Sequence, residues 1–170
     1  MNISLKSKRL TLVHFNSLKP SKQYLKWLND KEITKYIVKS SKNKKKDVIE
    51  FLKEMSTSRN FFFKIKYNNN HIGNLRIGPL DYKNLSSKYG IMIGNKKYHG
   101  LGLAQEATKL AENFIFKFLN FKKMEFECIV ENKPALNIYR KLNFNEKKIK
   151  RKIRINNNIF SQILFFKYDK

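Results

Sequence analysis

Two glycines one residue apart, Gly100 and Gly102, stand in the stretch KKYHGLGLAQEA (Lys96 to Ala107) of a chain with only 6 glycines. Lys96, Lys97 and His99 precede or flank them, and an alanine-rich amphipathic run follows at once. A helix that starts at such glycines presents unpaired backbone N–H groups and the positive end of its dipole. Glycine also removes the Cβ that would hold a phosphate away from those groups. The chemistry this predicts is anion binding, with Lys96 and Lys97 adding charge beside the opening. The spacing fits neither G-x-x-x-x-G-K-[ST] nor G-x-G-x-x-G, because position 105 is Gln105. That argues against a nucleoside triphosphate or a dinucleotide. A plain helix entry with flexible glycines fits this segment alone equally well.

Few other residues invite chemistry. Tyr139 shares a helical face with Leu136 and Leu142 and, from the residues alone, reads as a packed aromatic before it reads as a proton donor. Asn132 precedes Pro134 as a helix cap would. His14, His71 and His99 show no metal-ligand spacing, so no metal is expected. Cys128, the one cysteine, cannot form an internal disulfide and falls in an alternating strand, where it is buried and inert. Trp27 is expected to pack the first helix.

The elements that position these residues follow from periodicity. Arg9 to Phe15 alternates as a first strand. Ser21 caps a short helix with Tyr24, Leu25 and Leu28 on its apolar face, and DKEITKYI adds a second turn. Asp47 with Glu50 three later reads as a capping box, with Val48, Phe51, Leu52 and Met55 on one face of the helix it opens. NFFFKIKY and HIGNLRIG form a hairpin that Gly78-Pro79 ends, and Lys88 to Gly94 is the next strand. Leu103, Ala107, Leu110, Ala111, Phe114, Ile115 and Phe118 keep helical spacing. Lys123 to Val130 is a strand, and Asn132 caps the helix that carries Tyr139. Two strands that turn at Asn156-Asn157-Asn158 complete the chain. The order predicts one α/β domain over residues 1–170: a single mixed, mostly antiparallel twisted sheet of six to seven strands, with helices on both faces.

Lys+Arg number 37 against 13 Asp+Glu, a formal net charge of +24. Such a field attracts polyanions. Lysine spread along the whole chain, with much asparagine and isoleucine, is also what an AT-rich genome writes into an ordinary protein. Only Lys39 to Asp47 and Lys147 to Arg154 look like local basic patches. No apolar run reaches the ~18 residues of a membrane span. The N-terminus lacks the apolar block of a signal peptide, so a cytoplasmic protein without a membrane partner is expected.

KYGIMIGNKKYHGLGLAQEA, followed by ENKPALNIYRKLNF, resembles the GNAT superfamily of acetyl-CoA-dependent N-acetyltransferases. Lys97, Gly100 and Gly102 match its [QR]-x-x-G-x-[GA] cofactor loop, with lysine for the usual Gln or Arg. Asn132, Tyr139 and Lys141-Leu142-Asn143-Phe144 match its later segment, with Asn143 where glycine is usual. The likeness covers nearly the whole chain. It implies acetyl-CoA as acetyl donor, with its pyrophosphate on the backbone of Lys97 to Ala104, including Leu101 and Leu103. It implies a thioester carbonyl met by a backbone N–H near Met92 to Ile93, and Asn132 near the pantetheine. Tyr139 would protonate the departing thiolate. Lys88 stands where relatives carry an acidic residue, which leaves Glu32 or a water chain as the base.

The opening YLKWLNDKEITKYI looks like the branch of ribosomal-protein N-terminal and amino-sugar acetyltransferases. The implied acceptor is a small-molecule amine, a nucleotide-linked aminosugar of surface polysaccharide synthesis before a ribosomal protein. A monomer or homodimer is expected. The competing class is a basic, non-enzymatic nucleic-acid-binding domain, which explains the charge but not the glycine loop or Tyr139.

Overall fold

The structure, a computed structural model, describes residues 3–15, 17–37, 45–155 and 157–169. Its frame is one eight-stranded sheet of β1 (Ser4–Lys6), β2 (Leu10–His14), β3 (Phe61–Tyr67), β4 (Asn70–Asp81), β5 (Ser86–Ile93), β6 (Lys123–Ile129), β7 (Asn145–Ile155) and β8 (Asn158–Tyr168). The spatial order is β1-β2-β3-β4-β5-β6-β8-β7. Every neighbouring pair is antiparallel except β5 with β6. The expected mixed, mostly antiparallel sheet is thus present with more strands than six to seven. The addition is β1, whose three residues are too few to show alternation but pair with β2 through Leu5 and Leu12.

Among the described residues five α-helices cover the two faces: α1 (Lys22–Leu28), α2 (Lys31–Thr34), α3 (Lys45–Met55), α4 (Leu103–Asn113) and α5 (Lys133–Lys141). On one face, Leu103, Ala107 and Ala111 of α4 and Leu136 and Tyr139 of α5 join Leu75, Ile77, Tyr89, Phe126 and Phe165 of the sheet in the main core. On the other, Tyr24 and Trp27 of α1 and Val48, Leu52 and Met55 of α3 pack with Phe15 and Phe62. Each buried Val, Leu, Ile, Phe or Met among them contributes about 1.5–3 kcal/mol.

Local chemistry sets the ends of these elements. Ser21 caps α1 by accepting the Tyr24 N–H at 3.1 Å. The β3–β4 hairpin turns on Asn68 and Asn69, both at positive φ, which asparagine tolerates best after glycine. Three expectations need correction. Asp47 does not cap α3: it is itself helical, in the first turn of Lys45–Met55, where a carboxylate suits the dipole. The expected basic patch beginning at Lys39 lies, over residues 39–44, outside the described residues. Nor does Gly78-Pro79 end β4. A register shift between Ile77 and Leu80 takes up the proline, which has no N–H to give a ladder, and the strand runs on to Asp81. The helix from Leu103 does not continue regularly to Phe118. Phe114–Phe118 is a π-turn, with the Leu119 N–H bonded to the Phe114 carbonyl at 2.9 Å. The wider turn rotates Phe118 off the apolar face, leaving it 60% exposed. Among the described residues no helix is long and apolar enough to cross a membrane.

Candidate active site

The site begins where two parallel strands part. β5 and β6 pair only through Ser86, Ser87 and Lys88 with Lys123, Met124 and Glu125. Beyond that rung β5 stays with β4 up to Ile93, and β6 stays with β8 up to Ile129. The facing edges therefore carry main-chain groups that no strand covers. Their direction follows from register. The Gly94 N–H donates to the Ile72 carbonyl at 2.9 Å, so Gly94, and with it Met92 and Gly90, turns its main-chain polar groups toward β4. The Met92 carbonyl lies where a Cβ on Gly73 would collide with it, which agrees. Ile91 and Ile93 consequently present their N–H groups to the fork. Of the two positions expected at the thioester, Ile93 faces the fork. Met92 does not, because its amide is spent on β4 and its side chain packs against the α1–α3 layer.

From Ile93 the chain runs through Gly94 and Asn95, a 3-10 turn over Lys96–Tyr98, and the two glycines into α4. Asn95 Oδ1 accepts the Lys97 N–H at 3.2 Å, and His99 Nε2 lies 2.7 Å from the Ile93 carbonyl oxygen. His99 thus fastens the loop to the strand end. Gly100 (φ 77°) and Gly102 (φ 74°) are left-handed. A Cβ at Gly100 would meet nothing within 4 Å, and one at Gly102 only Arg9 Nη2 at 3.7 Å. Protein packing therefore does not require the glycines; the backbone conformation does, and open space lies beside them. Gly102 occupies the cap position of α4 without a side-chain cap, and the first intrahelical bond is from the Glu106 N–H to the Gly102 carbonyl. The N–H groups of Leu103 and Ala104 thus point out of the helix end. The Leu101 carbonyl accepts from Arg9 Nη1 at 3.0 Å.

The two lysines of this loop differ. Lys97 makes no ion pair among the described residues, but Lys96 does not stand free beside the opening. Its Nζ pairs with Asp30 at 2.9 Å and with Glu32, tying the N-terminus of α2 to the loop. The Lys96 hydrogen bond, with the Glu32 and Ile33 N–H groups, holds the Asp30 carboxyl below the usual range. Glu32 is 80% exposed and engaged by Lys96. Through Lys96 it joins the α2 end of the site to the loop.

Tyr139 lies under the fork on the α4–α5 side. Its ring packs on Phe126 at 4.4 Å and Phe165 at 5.3 Å, and it is 7% exposed. Burial, with Tyr89 and Cys128 nearby, pushes its phenol well above the ordinary value, so it keeps its proton at any physiological pH. Asn132 caps α5, its Oδ1 accepting the Ala135 N–H at 3.4 Å. Cys128 is buried, and burial pushes its thiol up to about 12. Trp27 is buried over Gly94, whose Cβ would collide with the indole. His71 packs edge-on against that indole at 4.9 Å, and burial pulls it down to about 4.

The opposite side of the fork is a groove. Tyr89 points into the α4 layer, where its hydroxyl meets Thr108 Oγ1 at 2.8 Å, so Lys88 and Gly90 point the other way. A Cβ at Gly90 would meet no atom within 4 Å, which makes Gly90 an open floor. Lys88 pairs with Glu125 on the last shared rung, and Lys123 pairs with the same carboxylate. Burial works to raise the Glu125 pKa, but these lysines outweigh it and hold the carboxyl below the usual range. Glu127 pairs with Arg151 at 3.0 Å and accepts from Gln162 Nε2 at 2.9 Å. The α1–α2 segment spans this face from Trp27 on Gly94 to Tyr36 on Phe160 of β8, rings 5.9 Å apart.

Periodicity along the chain missed several of these residues. Arg9 donates through Nε to Glu106 Oε2 at 2.7 Å and through its backbone N–H to Oε1 at 2.9 Å. Glu125, Glu127 and Arg76 reach the site only through strand register. No spacing within one element marks any of them.

The fork and the glycine-led helix offer the groups that could hold coenzyme A. The open space over Gly100 and Gly102 and the outward N–H groups of Leu103 and Ala104 suit its phosphates. The unpaired edge of β5 suits an amide-bearing arm. The sequence profile of the acetyltransferase (GNAT) domain matches residues 9–145. Spermidine N(1)-acetyltransferase of Escherichia coli K12 is 31% identical over 83 residues, 49% of this chain and 44% of that protein. The chain thus spans less than half the length of that curated relative. Two solved structures share the fold at 20% identity. They are a GNAT-family acetyltransferase from Bacillus anthracis (TM-score 0.82, 98% of each chain) and a spermidine N-acetyltransferase from Vibrio cholerae in complex with CoA and spermine (TM-score 0.82, 95% and 96%). The strand fork, the glycine loop and the profile match over most of the length agree, and the chain belongs to the GNAT acetyltransferase family.

Proposed function

We propose that this chain moves an acetyl group from acetyl-CoA to the primary amine of a small acceptor that carries negative charge, a nucleotide-linked aminosugar. Acetyl-CoA supplies the acetyl group as a thioester. The Ile93 N–H, with that of Ile91, is aimed where a carbonyl oxygen would gather charge. The Tyr139 hydroxyl holds a proton for a departing sulfur. The groove over Gly90 admits the amine from the opposite face, and water there takes the proton the amine gives up.

One observation carries the acceptor class. Five carboxylates described around the fork and loop are each held by a cation of this chain: Glu125 by Lys88 and Lys123, Glu127 by Arg151, Asp30 and Glu32 by Lys96, and Glu106 by Arg9, while Glu131, exposed just past the end of β6, makes no ion pair among the described residues. A polycation would have to displace these partners within a chain of net charge +24. An acceptor bearing phosphate would not. The second reading, a polyamine acceptor, has the likeness to spermidine acetyltransferases in its favour. A nucleic-acid-binding domain leaves the fork and the open glycine loop without a task.

The test is turnover of acetyl-CoA with nucleotide-linked aminosugars, spermidine and a peptide bearing the N-terminus of a ribosomal protein. Turnover confined to the first supports the proposal. Turnover confined to spermidine establishes the polyamine reading.

A further inference from the structure

Arg76 is the unexplained cation of the groove. It lies on β4 directly across from Gly90, and Phe62 on β3 is its other neighbour. Phe62 belongs to the α1–α3 side, so Arg76 shares that face with the open floor at Gly90. The guanidinium is half-buried, yet it makes no hydrogen bond or ion pair among the described residues. The other arginines near the fork and loop do otherwise: Arg9 is held by Glu106, and Arg151 by Glu127. The carboxylate that acts on Arg76 electrostatically is Glu54, which is exposed on α3 and beyond ion-pair reach. A half-buried guanidinium with five donors and no acceptor is costly to leave unpaired. The planar fork suits a phosphate.

We infer that Arg76 anchors a phosphate of the acceptor, holding it in the groove beside Gly90 while the amine reaches the strand fork. The inference rests on the proposed acetyl transfer to an anionic acceptor and names the residue that selects it. Neighbouring strands lie about 4.8 Å apart, and residues rise about 3.3 Å along a strand. A phosphate on Arg76 and an amine beside Ile91 to Ile93 are then separated by roughly 5–10 Å. An amine and a phosphate carried on one sugar ring span such a distance. Lys88, next along β5, is occupied by Glu125, and Lys64 of β3, on the same face, lies over the Phe15 ring at 4.4 Å, so among these described cations Arg76 is the one with no protein group against it at bonding distance.

The experiment compares the wild type with Arg76→Gln and Arg76→Lys. Turnover is measured with a nucleotide-linked aminosugar and with the same aminosugar as a neutral methyl glycoside. Arg76→Gln is expected to raise KM for the nucleotide-linked acceptor by about 10- to 100-fold, the loss of a charge-assisted hydrogen bond. KM for acetyl-CoA and for the neutral glycoside should stay unchanged, and Arg76→Lys should recover part of the loss. Equal losses on both acceptors would make Arg76 structural and overturn the inference, as would no loss on the nucleotide-linked one.

A second measurement needs no turnover. Binding of inorganic pyrophosphate to the CoA-saturated protein is compared between the wild type and Arg76→Gln. A site lost in the variant upholds Arg76 as an anion anchor even where no aminosugar is acetylated, in which case the acceptor reading alone has failed. Identical pyrophosphate binding in the two proteins overturns the anchor, and aminosugar turnover would still stand by itself.

Discussion

Arg9, at the approach to β2, reaches Glu106 in the first turn of α4, with Nε 2.7 Å from Oε2. Its backbone N–H holds the other carboxylate oxygen, Ser7 Oγ donates to that same oxygen at 2.7 Å, and its Nη1 holds the Leu101 carbonyl between the two glycines. One side chain therefore ties the glycine stretch to the first turn of α4. It also neutralises a carboxylate that would otherwise repel a phosphate from the helix end. Arg9→Gln is expected to raise KM for acetyl-CoA by roughly tenfold, the scale of one charge-assisted bond, with little change in kcat. Steady-state kinetics with each substrate varied in turn checks this; a fall in kcat alone would contradict it.

The same pair sets a pH response. Burial works to raise the Glu106 pKa, but the bonds from Ser7 and Arg9 outweigh it and leave the carboxyl below its ordinary value. The stability it contributes is present above the unfolded-state value of about 4.3 and is lost as pH falls through the lower folded value. Thermal unfolding from pH 7 down to pH 3 should show a steeper loss in the wild type than in Glu106→Gln, whose side chain does not titrate. Parallel curves would show that the carboxyl is not so coupled.

Gly102 is open on its Cβ side and left-handed. Gly102→Val should thus act twice, straining the backbone by about 1–3 kcal/mol and filling the space a phosphate would take. A ligand at ~100 times its Kd adds about 2.7 kcal/mol, several degrees for a domain of this size. Acetyl-CoA should give that shift in the wild type and none in Gly102→Val. An equally charged polyphosphate should give a small shift in both. Equal shifts by the two ligands in the wild type would mean that net charge alone binds them.

Much of this arrangement was legible in the sequence. The element order followed from alternation in the strands and helical spacing in α3 and α4, and Ser21 and Asn132 mark their helix starts by residue type. What failed was mostly long-range. Whether Met92 or Ile93 faces the fork is a question of parity, settled by the register of β4 against β5 and invisible along either strand. Glu125 meets Lys88 only because a parallel rung happens to join them, and Arg9 meets Glu106 from 97 positions away. The π-turn at Phe114 was hidden for a different reason: the helical period continues through it on paper, and only packing reveals the extra residue.

Glu32 and Lys96 separate two roles. As a proton acceptor for the amine, Glu32 would lower kcat when changed to Gln. As a fastener of the loop through Lys96, it would leave kcat near its original value and raise KM for acetyl-CoA. The pairing favours the second outcome, and Lys96→Met should reproduce it. An exposed ion pair is worth at most about 1 kcal/mol, so the rise should be less than tenfold and should shrink at high salt. A large kcat loss in Glu32→Gln that Lys96→Met does not share would restore the general-base role.

Tyr139 offers the sharpest division between packing and chemistry. Its ring fills the space between Phe126 and Phe165, and Tyr139→Phe keeps that ring. Stability and acetyl-CoA affinity should then survive, while loss of the hydroxyl should lower kcat by about 10²-fold or more if it delivers a proton to the leaving sulfur. Because burial holds its phenol well above the ordinary value, the wild type should show no loss of activity from this group between pH 8 and 10, where an ordinary tyrosine begins to ionise. The pH profile of kcat in both proteins reads the two effects together. Unchanged turnover in Tyr139→Phe would reduce Tyr139 to one more aromatic of the core.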